Sequence, residues 1–239
     1  RHSFPTRRSS DLSQGWQVLS QSGLVAEASN LIIANATDAQ KFMQTGHCEM
    51  QSVRGQITLL PATLTSKTLK TVICTDGYLS PARQGQHCLG ATFLPNDNNT
   101  DIRKAEHISN LNMLKSLAPD WSNTGYDVQA LQGRASIRAT TSDYLPLAGT
   151  VLDITQLKES PPRYNVPPDN LPWLEGLYIN AGHGAKGLVN APLCAEIIAS
   201  FICNEPAPVD CSLLSALDPN RFVLRELGLK RLSQTIQRN

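Results

Sequence analysis

The sequence lacks several features that would indicate its function directly. Its net charge is only +1, so no field over the whole surface attracts nucleic acid or a membrane. Its six cysteines form no C-x-x-C pair, which argues against a zinc site. No run approaches the ~18–20 apolar residues that a membrane span needs. These absences predict a protein that binds no metal and does not enter a membrane.

The 239 residues and a hydrophobic fraction of 41% suffice for one large domain or two small ones. The even number of cysteines permits disulfides, but Cys194 and Cys203 fall in an apolar run of helical pattern. We therefore expect six reduced thiols in a cytoplasmic protein. We also expect a monomer.

The opening segment RHSFPTRRSSDL fits poorly with the rest, because it shows no apolar period. An Arg- and Ser-rich start can be an organellar transit peptide, but this one is too short. A disordered arm is a second interpretation. We favour a third, in which residues 1–12 are the translation of a sequencing adapter. The natural protein would then begin near Ser13, with sequence missing upstream.

Short β-prone runs predict a strand-rich first half. The run LIIA is continuously apolar, as in strands buried within a parallel sheet. Ser22-Gly23 predicts a hairpin turn between the first two strands. We predict strands at 16–20, 24–28, 30–34, 52–60, 70–79, 86–93, 126–139 and 174–182.

Residues 101–118 predict a helix with one buried face, capped by Thr100 or Asp101 and stopped by Pro119. Its apolar residues recur at steps of three: Ile102, Ala105, Ile108, Leu111, Leu114 and Leu117. Further helices are predicted at 187–203 and 221–235. The prolines of 158–172 predict a surface loop.

The most informative stretch joins the strand at 174–182 to the helix at 187–203. Gly182-His-Gly184-Ala-Lys-Gly187 is a literal G-x-G-x-x-G, and a helix start presents free N–H groups to a ligand. A dinucleotide fingerprint also needs an acid ~20 residues on, in a second strand, and that distance falls on Glu205 in NEPAPVD. The motif alone is therefore best explained as a turn without a ligand. The helix favours a site, because it is apolar almost all round and is predicted to be buried with its start aimed inward.

Several motifs together resemble a known family. GHGAKGLVNAPLCAEIIA resembles the C-terminal flavin turn of the D-amino-acid-oxidase-like (glycine-oxidase) family. DGYLSP, RATTSDYLPLAG and LDPNR are more specific, and make the chain similar to the oxidoreductase half of bifunctional tRNA-modifying enzymes. The resemblance covers about residues 15–222. It implies a mixed α/β fold, with a partial, Rossmann-like FAD-binding domain around an inserted, mostly antiparallel β-sheet substrate domain.

This resemblance also implies domain limits and an activity. The activity is the FAD-dependent removal of the carboxymethyl group from 5-carboxymethylaminomethyl-(2-thio)uridine at the wobble position of tRNA, with release of glyoxylate. In that family, a loop that grips the FAD pyrophosphate and a methyltransferase domain that uses S-adenosylmethionine lie upstream. We therefore expect this chain alone to bind FAD weakly or not at all and to be inactive. The implied parts are the late FAD-binding domain (13–46), the substrate-binding domain (47–150), a Pro-rich loop (151–172), the last FAD-binding strand, turn and helix (173–203) and a tail (204–239).

Arg138 and Tyr78 receive substrate and catalytic roles from the resemblance. Arg138 stands where related enzymes place the arginine that pairs with the substrate carboxylate, and a guanidinium fixes a carboxylate in orientation as well as in charge. Arg134 lies on the same strand face at i−4 and is a second candidate. Tyr78 of DGYLSP is expected to line the pocket. The alternatives are a surface or domain-bridging role for Arg138 and an ordinary edge-strand role for Tyr78.

Segments 34–36 and 182–188 are expected to hold the flavin. The Arg138 side chain is expected to reach toward the same cavity. The helix start and Lys186 would face the flavin edge that gains negative charge on reduction, which gives Lys186 a catalytic role. His183 receives no acid–base role. The chain departs from the family at Ala185-Lys186, where Ser-Arg is usual, and at Ala36, where Gly is usual. The expected cofactor-binding residues are Ala34, Asn35, Ala36, Gly182, His183, Gly184, Ala185, Lys186, Gly187 and Leu188.

The tail is the candidate contact for tRNA phosphates, and a solvated terminal helix is its alternative interpretation. Its basic residues are Arg221, Arg225, Lys230, Arg231 and Arg238, against Glu226 alone. A free glycine or sarcosine oxidase of the same superfamily, and a non-catalytic binding module, are the alternative functions.

Overall fold

The computed structural model describes residues 4–7, 15–122, 125–162, 166–167 and 170–229. They form two compact units: unit 1 contains the chain up to Gln51 and from Ala139 onward, and unit 2 contains Ser52–Arg138. The expected roles of the two units in binding FAD and substrate stay predictions. Lys230, Arg231, Arg238 and the end of the predicted last helix lie outside the described residues, as do residues 1–3 and 8–14 near the start of the chain.

Among the described residues the elements follow one another as short strands and helices. The strands are β1 Phe4–Arg7, β2 Trp16–Ser20, β3 Gly23–Ala28, β4 Leu31–Ile33, β5 Gln51–Pro61, β6 Ile73–Cys74, β7 Tyr78–Leu79, β8 Gln86–Gly90, β9 Leu94–Pro95, β10 Gln132–Thr140, β11 Leu147–Leu152 and β12 Trp173–Ala181. The helices are α1 Lys104–Leu117, α2 Pro119–Ser122, α3 Ile154–Glu159, α4 Gly187–Cys203, α5 Cys211–Leu217 and α6 Arg221–Glu226. Strands β1, β9 and β11 and helices α2, α3 and α5 are elements that the sequence did not predict.

Unit 1 holds two three-stranded sheets, of order β1-β2-β3 and β11-β12-β4. Residues 1–12, which we interpreted as the translation of an adapter, contain β1, and β1 pairs antiparallel with β2. The origin of these residues stays a prediction. The turn before β3 lies at 21–22, one residue earlier than predicted, since Ser20 pairs with Gly23. In the second sheet β4 pairs parallel with β12, as the apolar run LIIA predicted.

Helix α4 packs on the β11-β12-β4 sheet through one face only. Cys194 and Ile197 form a cluster with Ala148 of β11 and with Leu214 and Leu217 of α5. The prediction that α4 is buried because it is apolar almost all round is wrong for most of the helix. Only Cys194, Ile197, Ile198 and Ser200 are buried, and Leu188 and Val189 in the first turn are 98% and 77% exposed. Apolar composition alone does not show which faces of a helix are covered.

The length and composition of Gly184–Cys203 would also suffice to cross a membrane. This differs from the expectation that no run is apolar enough. Core helices meet the same criterion, and this helix buries one face on its own sheet.

Unit 2 is built on a sheet of order β10-β5-β8-β7-β6, with β9 pairing to β5. Residues 70–79, predicted as one strand, form the β6-β7 hairpin. Asp76-Gly77 lies between the two strands, and this dipeptide is typical of tight turns. Helix α1 covers one face of the sheet, where Leu114 and Leu117 pack on Leu60, Leu79 and Leu89.

The predicted apolar face of α1 is wrong in its first half. Ile102 lies before the helix, which begins at Lys104 with Arg103 as its N-cap, and Ile108 is 49% exposed. A step of three residues falls ~60° short of a full turn, so a strict three-residue stripe drifts around the helix. Only its last members lie on the buried face.

Polar residues fill the rest of that face, because β5 supplies their partners. Glu106 pairs with Arg54 at 2.8 Å. The Nδ1 atom of His107 lies 2.8 Å from Thr58 Oγ1, and Asn110 Nδ2 donates to the same oxygen at 3.0 Å. These buried groups bind α1 to the sheet.

Candidate functional site

Three segments of unit 1 meet at one edge of the β11-β12-β4 sheet. Parallel strands β4 and β12 both end here, with Ile33 opposite Ile179. Antiparallel β11 begins here, with Leu147 opposite Ala181. The neighbouring segments are 34–36, 141–146 and 182–187. We call this edge the strand-end site, because ligands of open α/β sheets bind at the carboxyl ends of the strands.

The turn from β12 to α4 requires glycine. Gly182 and Gly184 have φ angles of +73° and +56°, in the left-handed region that side chains rarely adopt. Gly184 also lies against Thr140, because a Cβ atom on it would stand 3.4 Å from Thr140 Oγ1. The turn therefore brings bare backbone to the edge of the sheet.

The start of α4 is open to a ligand. Among the described residues no side chain caps this helix, and its first turn carries no acid. Lys186 is exposed, as is Leu188 beside it. The first N–H groups and the positive end of the helix dipole can therefore meet an electron-rich group.

Three buried polar atoms at the strand-end site have no hydrogen-bond partner among the described residues: Thr140 Oγ1, Asn180 Oδ1 and His183 Nδ1. Thr140 and His183 are opposite each other in a β-bridge. Burial lowers the pKa of His183, so its ring is neutral at pH 7. Buried polar groups are nearly always paired in native proteins. These three atoms therefore point to a ligand with its own donors and acceptors. The backbone from Asn180 to Leu188 was predicted to line the flavin ring, but no role was predicted for the side chains of Thr140 and Asn180.

The segment after β4 reaches the same edge. Ala36 has a φ angle of +55°, where a glycine would be unstrained. The structure thus places Ala34, Asn35 and Ala36 at one sheet edge with the turn 182–187. Contact of either segment with a cofactor stays a prediction.

In unit 2, Arg138 lies on the face of the sheet that α1 leaves uncovered. Gly133 faces α1, since a Cβ atom on it would stand 2.9 Å from His107 Cε1. Alternation along β10 then puts Arg134 and Arg138 on the opposite face, as predicted. Arg134 is exposed there and Arg138 is half-buried.

The Arg138 guanidinium rests on a glycine. A Cβ atom on Gly55 would stand 2.0 Å from its Nη1 atom, so no larger residue leaves room for this position. Nη1 donates to the carbonyls of Thr92 (3.2 Å) and Arg54 (3.5 Å). For Nε and Nη2 no partner is found within the described chain. These two donors form the edge of a guanidinium that pairs side-on with a carboxylate.

Tyr78 lies near Arg138 on the same face. Its neighbour Leu79 packs toward α1, so the Tyr78 side chain points the other way. Burial, and to a lesser extent the Cys88 thiol whose Sγ lies 3.8 Å from Tyr78 Oη, raise the pKa of Tyr78 to about 12, against the influence of the Arg138 charge. The phenol is therefore neutral at pH 7 and can donate a hydrogen bond.

Arg221 is a structural residue, and the expectation that it contacts tRNA phosphates is wrong. Its side chain is 6% exposed and pairs with Asp143 through two bonds of 2.8 Å. It also donates to the carbonyls of Leu145 and Pro146. The motifs LDPNR and TTSDYLP therefore bind each other. No local pattern in the sequence indicates this pair, which spans 78 positions.

All six cysteines are free thiols. In the part of the chain that the structure describes, no group of three or more His, Cys, Asp or Glu side chains is placed to hold a metal ion.

Comparison with known proteins decides the family. The model of the FAD dependent oxidoreductase family matches residues 6–201. The chain belongs to this family. The predicted family, its mixed α/β fold and its FAD cofactor are thereby confirmed.

Curated relatives resemble the chain over nearly all its length. It is 52% identical over 218 residues to the "tRNA 5-methylaminomethyl-2-thiouridine biosynthesis bifunctional protein MnmC" of Methylobacillus flagellatus, which covers 91% of this chain and 34% of that protein. It is 40% identical over 230 residues to the protein of the same name from Pseudomonas syringae pv. syringae, at 92% and 35% coverage. The chain thus spans about a third of the length of these relatives.

A solved structure shows the same fold. Glycine oxidase from Geobacillus kaustophilus superposes with a TM-score of 0.63 at 20% identity, over 88% of this chain and 50% of that one.

The strand-end site fits the cofactor of this family. An isoalloxazine ring has hydrogen-bond donors and acceptors along one edge, which matches the unpaired atoms of Thr140, Asn180 and His183. The uncapped start of α4 suits the electron-rich part of that edge. The glycine turn lets a flat ring approach the backbone.

Proposed function

We propose that this chain is the part of a tRNA-modifying oxidoreductase that acts on the side arm of a wobble uridine. The reaction is the FAD-dependent removal of the carboxymethyl group from 5-carboxymethylaminomethyl-(2-thio)uridine. The names of the relatives at 52% and 40% identity support tRNA as the substrate. The observation that carries the proposal is Arg138, an arginine on an uncovered sheet face with two donors unpaired among the described residues.

The role of this chain's residues is to bind the substrate and the cofactor and to orient them. When bound, FAD would supply the oxidant, a hydride acceptor for the carbon between the substrate carboxylate and amine; hydrolysis by water would then release glyoxylate and leave an aminomethyl group. Arg138 holds the carboxylate through Nε and Nη2, which fixes the direction of that carbon. Tyr78, neutral at pH 7, donates a hydrogen bond beside it.

At the strand-end site, Thr140, Asn180 and His183 would hold the cofactor by hydrogen bonds. The N–H groups at the start of α4 would stabilise negative charge on the reduced flavin, and exposed Lys186 would add a positive charge.

The test is whether the chain recognises the carboxymethyl group itself. Calorimetry would compare 5-carboxymethylaminomethyluridine with 5-aminomethyluridine, which lacks only that group. We expect the first nucleoside to bind about 10–100-fold more tightly, because a hydrogen bond to a charged group contributes about 1.5–3 kcal/mol. Equal binding of the two nucleosides would contradict the proposal.

Two variants and a control assign this preference to Arg138 and to its position on Gly55. Arg138→Met should abolish it, whereas Arg134→Met, on the same strand and face, should retain most of it. Gly55→Ala should also abolish it while leaving the fold intact, because the new methyl group displaces only the flexible end of Arg138.

A further inference from the structure

The loop 141–146 connects β10 to β11 and borders the strand-end site. Thr140 forms a bridge with His183, and Thr141 Cγ2 lies 3.1 Å from where a Cβ atom on Gly182 would stand. Tyr144 lies within this loop and is 69% exposed. An aromatic ring therefore stands in solvent one short loop away from the glycine turn.

The backbone of Tyr144 is strained. Its φ angle of +61° lies in the left-handed region, which is unfavourable for a bulky residue. Such strain persists only where the surroundings impose it, and it concentrates at sites of function. Asparagine or glycine would occupy this position at lower cost.

The surroundings of Tyr144 do impose this conformation. Its N–H donates to the Thr141 carbonyl at 3.2 Å, and Thr141 Oγ1 donates to the Leu145 carbonyl at 2.7 Å. Arg221 holds both neighbours of Tyr144 in place, since it donates to the Asp143 carboxylate and to the Leu145 carbonyl, each at 2.8 Å. A buried arginine thus fixes the loop while the tyrosine ring stays outside.

We propose that Tyr144 is the platform on which the pyrimidine ring of the substrate stacks. This inference rests on the proposed function and adds to it the recognition of the base. An unpaired nucleobase presents a flat π-face, and aromatic side chains bind such faces in single-stranded RNA. Free amino acids have no such face, so Tyr144 would select a nucleoside substrate over a free amino acid.

The experiment measures binding of a fluorescein-labelled anticodon stem-loop RNA that carries 5-carboxymethylaminomethyluridine, by fluorescence anisotropy. Tyr144→Phe keeps the ring and should bind within about 2-fold of the natural protein. Tyr144→Leu and Tyr144→Asn should bind on the order of 10-fold more weakly, as expected for a lost stacking contact. Thermal unfolding provides a second readout, because Tyr144→Asn should melt at a higher temperature than the natural protein. Weaker binding by a more stable variant cannot result from unfolding.

The outcomes separate this inference from the proposed function. If the natural protein binds the modified stem-loop no better than one with plain uridine, the proposed function fails and the inference with it. If it discriminates between the two RNAs and Tyr144→Leu binds as tightly as the natural protein, only the stacking role is overturned.

Discussion

The two faces of the unit 2 sheet each carry an arginine, and the two arginines have opposite surroundings. Arg54 lies under α1, fully buried, and its donors meet Glu106, Gln56 and the carbonyl of Asp101. Arg138, on the uncovered face, uses only Nη1, toward two carbonyls. An arginine whose donors are all met within the chain stabilises the fold, whereas one with spare donors is suited to a ligand. Substitution of each arginine by methionine tests this distinction, and three further predictions concern buried or strained groups of unit 1.

The largest expected effect concerns the arginine under α1. Arg54→Met leaves Glu106 buried without its cation, and breaking a buried pair in this way costs about 3–5 kcal/mol. Arg138→Met removes no ion pair, and should change the free energy of unfolding by less than about 1 kcal/mol. Urea unfolding of the two variants measures the difference. Similar losses in both would remove the distinction between the two faces.

A buried carboxyl group in unit 1 shows what incomplete pairing costs. Asp218 Oδ1 accepts hydrogen bonds from the N–H and the side-chain amide of Asn220, but Oδ2 has no partner among the described residues. Burial raises the pKa of Asp218 to about 6. The folded state therefore binds this proton more tightly than the unfolded state. The resulting stability is present below pH ~4 and lost as the pH rises through 6, by about 3 kcal/mol.

The measurement compares the natural protein with Asp218→Asn, whose amide does not titrate. The variant should gain about 2–3 kcal/mol relative to the natural protein between pH 4.5 and 7.5. The difference between the two proteins is needed because burial lowers the pKa of His47 and His183, which shifts stability in the opposite direction. A difference that stays constant with pH would contradict the assignment.

A smaller effect is expected at the strand-end site. Ala36→Gly should stabilise the protein by about 1 kcal/mol, because the left-handed backbone there strains any residue with a Cβ atom. Ala34→Gly is the matched control, since Ala34 does not have a positive φ angle, and it should destabilise by about 0.5–1 kcal/mol. Thermal unfolding distinguishes the two. If both variants lose stability, position 36 is not strained.

Local signals in the sequence were sufficient for the parts of the fold that depend on neighbours along the chain. The strand, glycine turn and helix at 173–203 were predicted because apolar runs and glycines report directly on them. The parallel pairing of β4 followed from its continuous apolar run. Motif resemblance added the family and directed attention to Arg138.

Contacts between distant residues could not be predicted in this way. The buried polar face of α1 depends on Arg54, which is 52 positions from Glu106. Arg221 was interpreted as a surface cation because its partner Asp143 lies far earlier in the chain. The strain at Tyr144 results from this same pair. The exposure of Leu188 could not be predicted either, since it depends on what covers the helix.

The central claim is that the start of α4 faces the electron-rich edge of a flavin, and Leu188 offers the most direct test. Its side chain is 98% exposed, so Leu188→Asp and Leu188→Asn should both fold. The aspartate should stabilise the helix by about 0.3–1 kcal/mol through the helix dipole. FAD binding by this chain is expected to be weak, so it is followed by quenching of flavin fluorescence in titrations that reach high FAD concentrations. It should be several-fold weaker still for Leu188→Asp than for Leu188→Asn, because the carboxylate repels the flavin edge. Equal, measurable affinities of the two variants for FAD would contradict the placement of the cofactor.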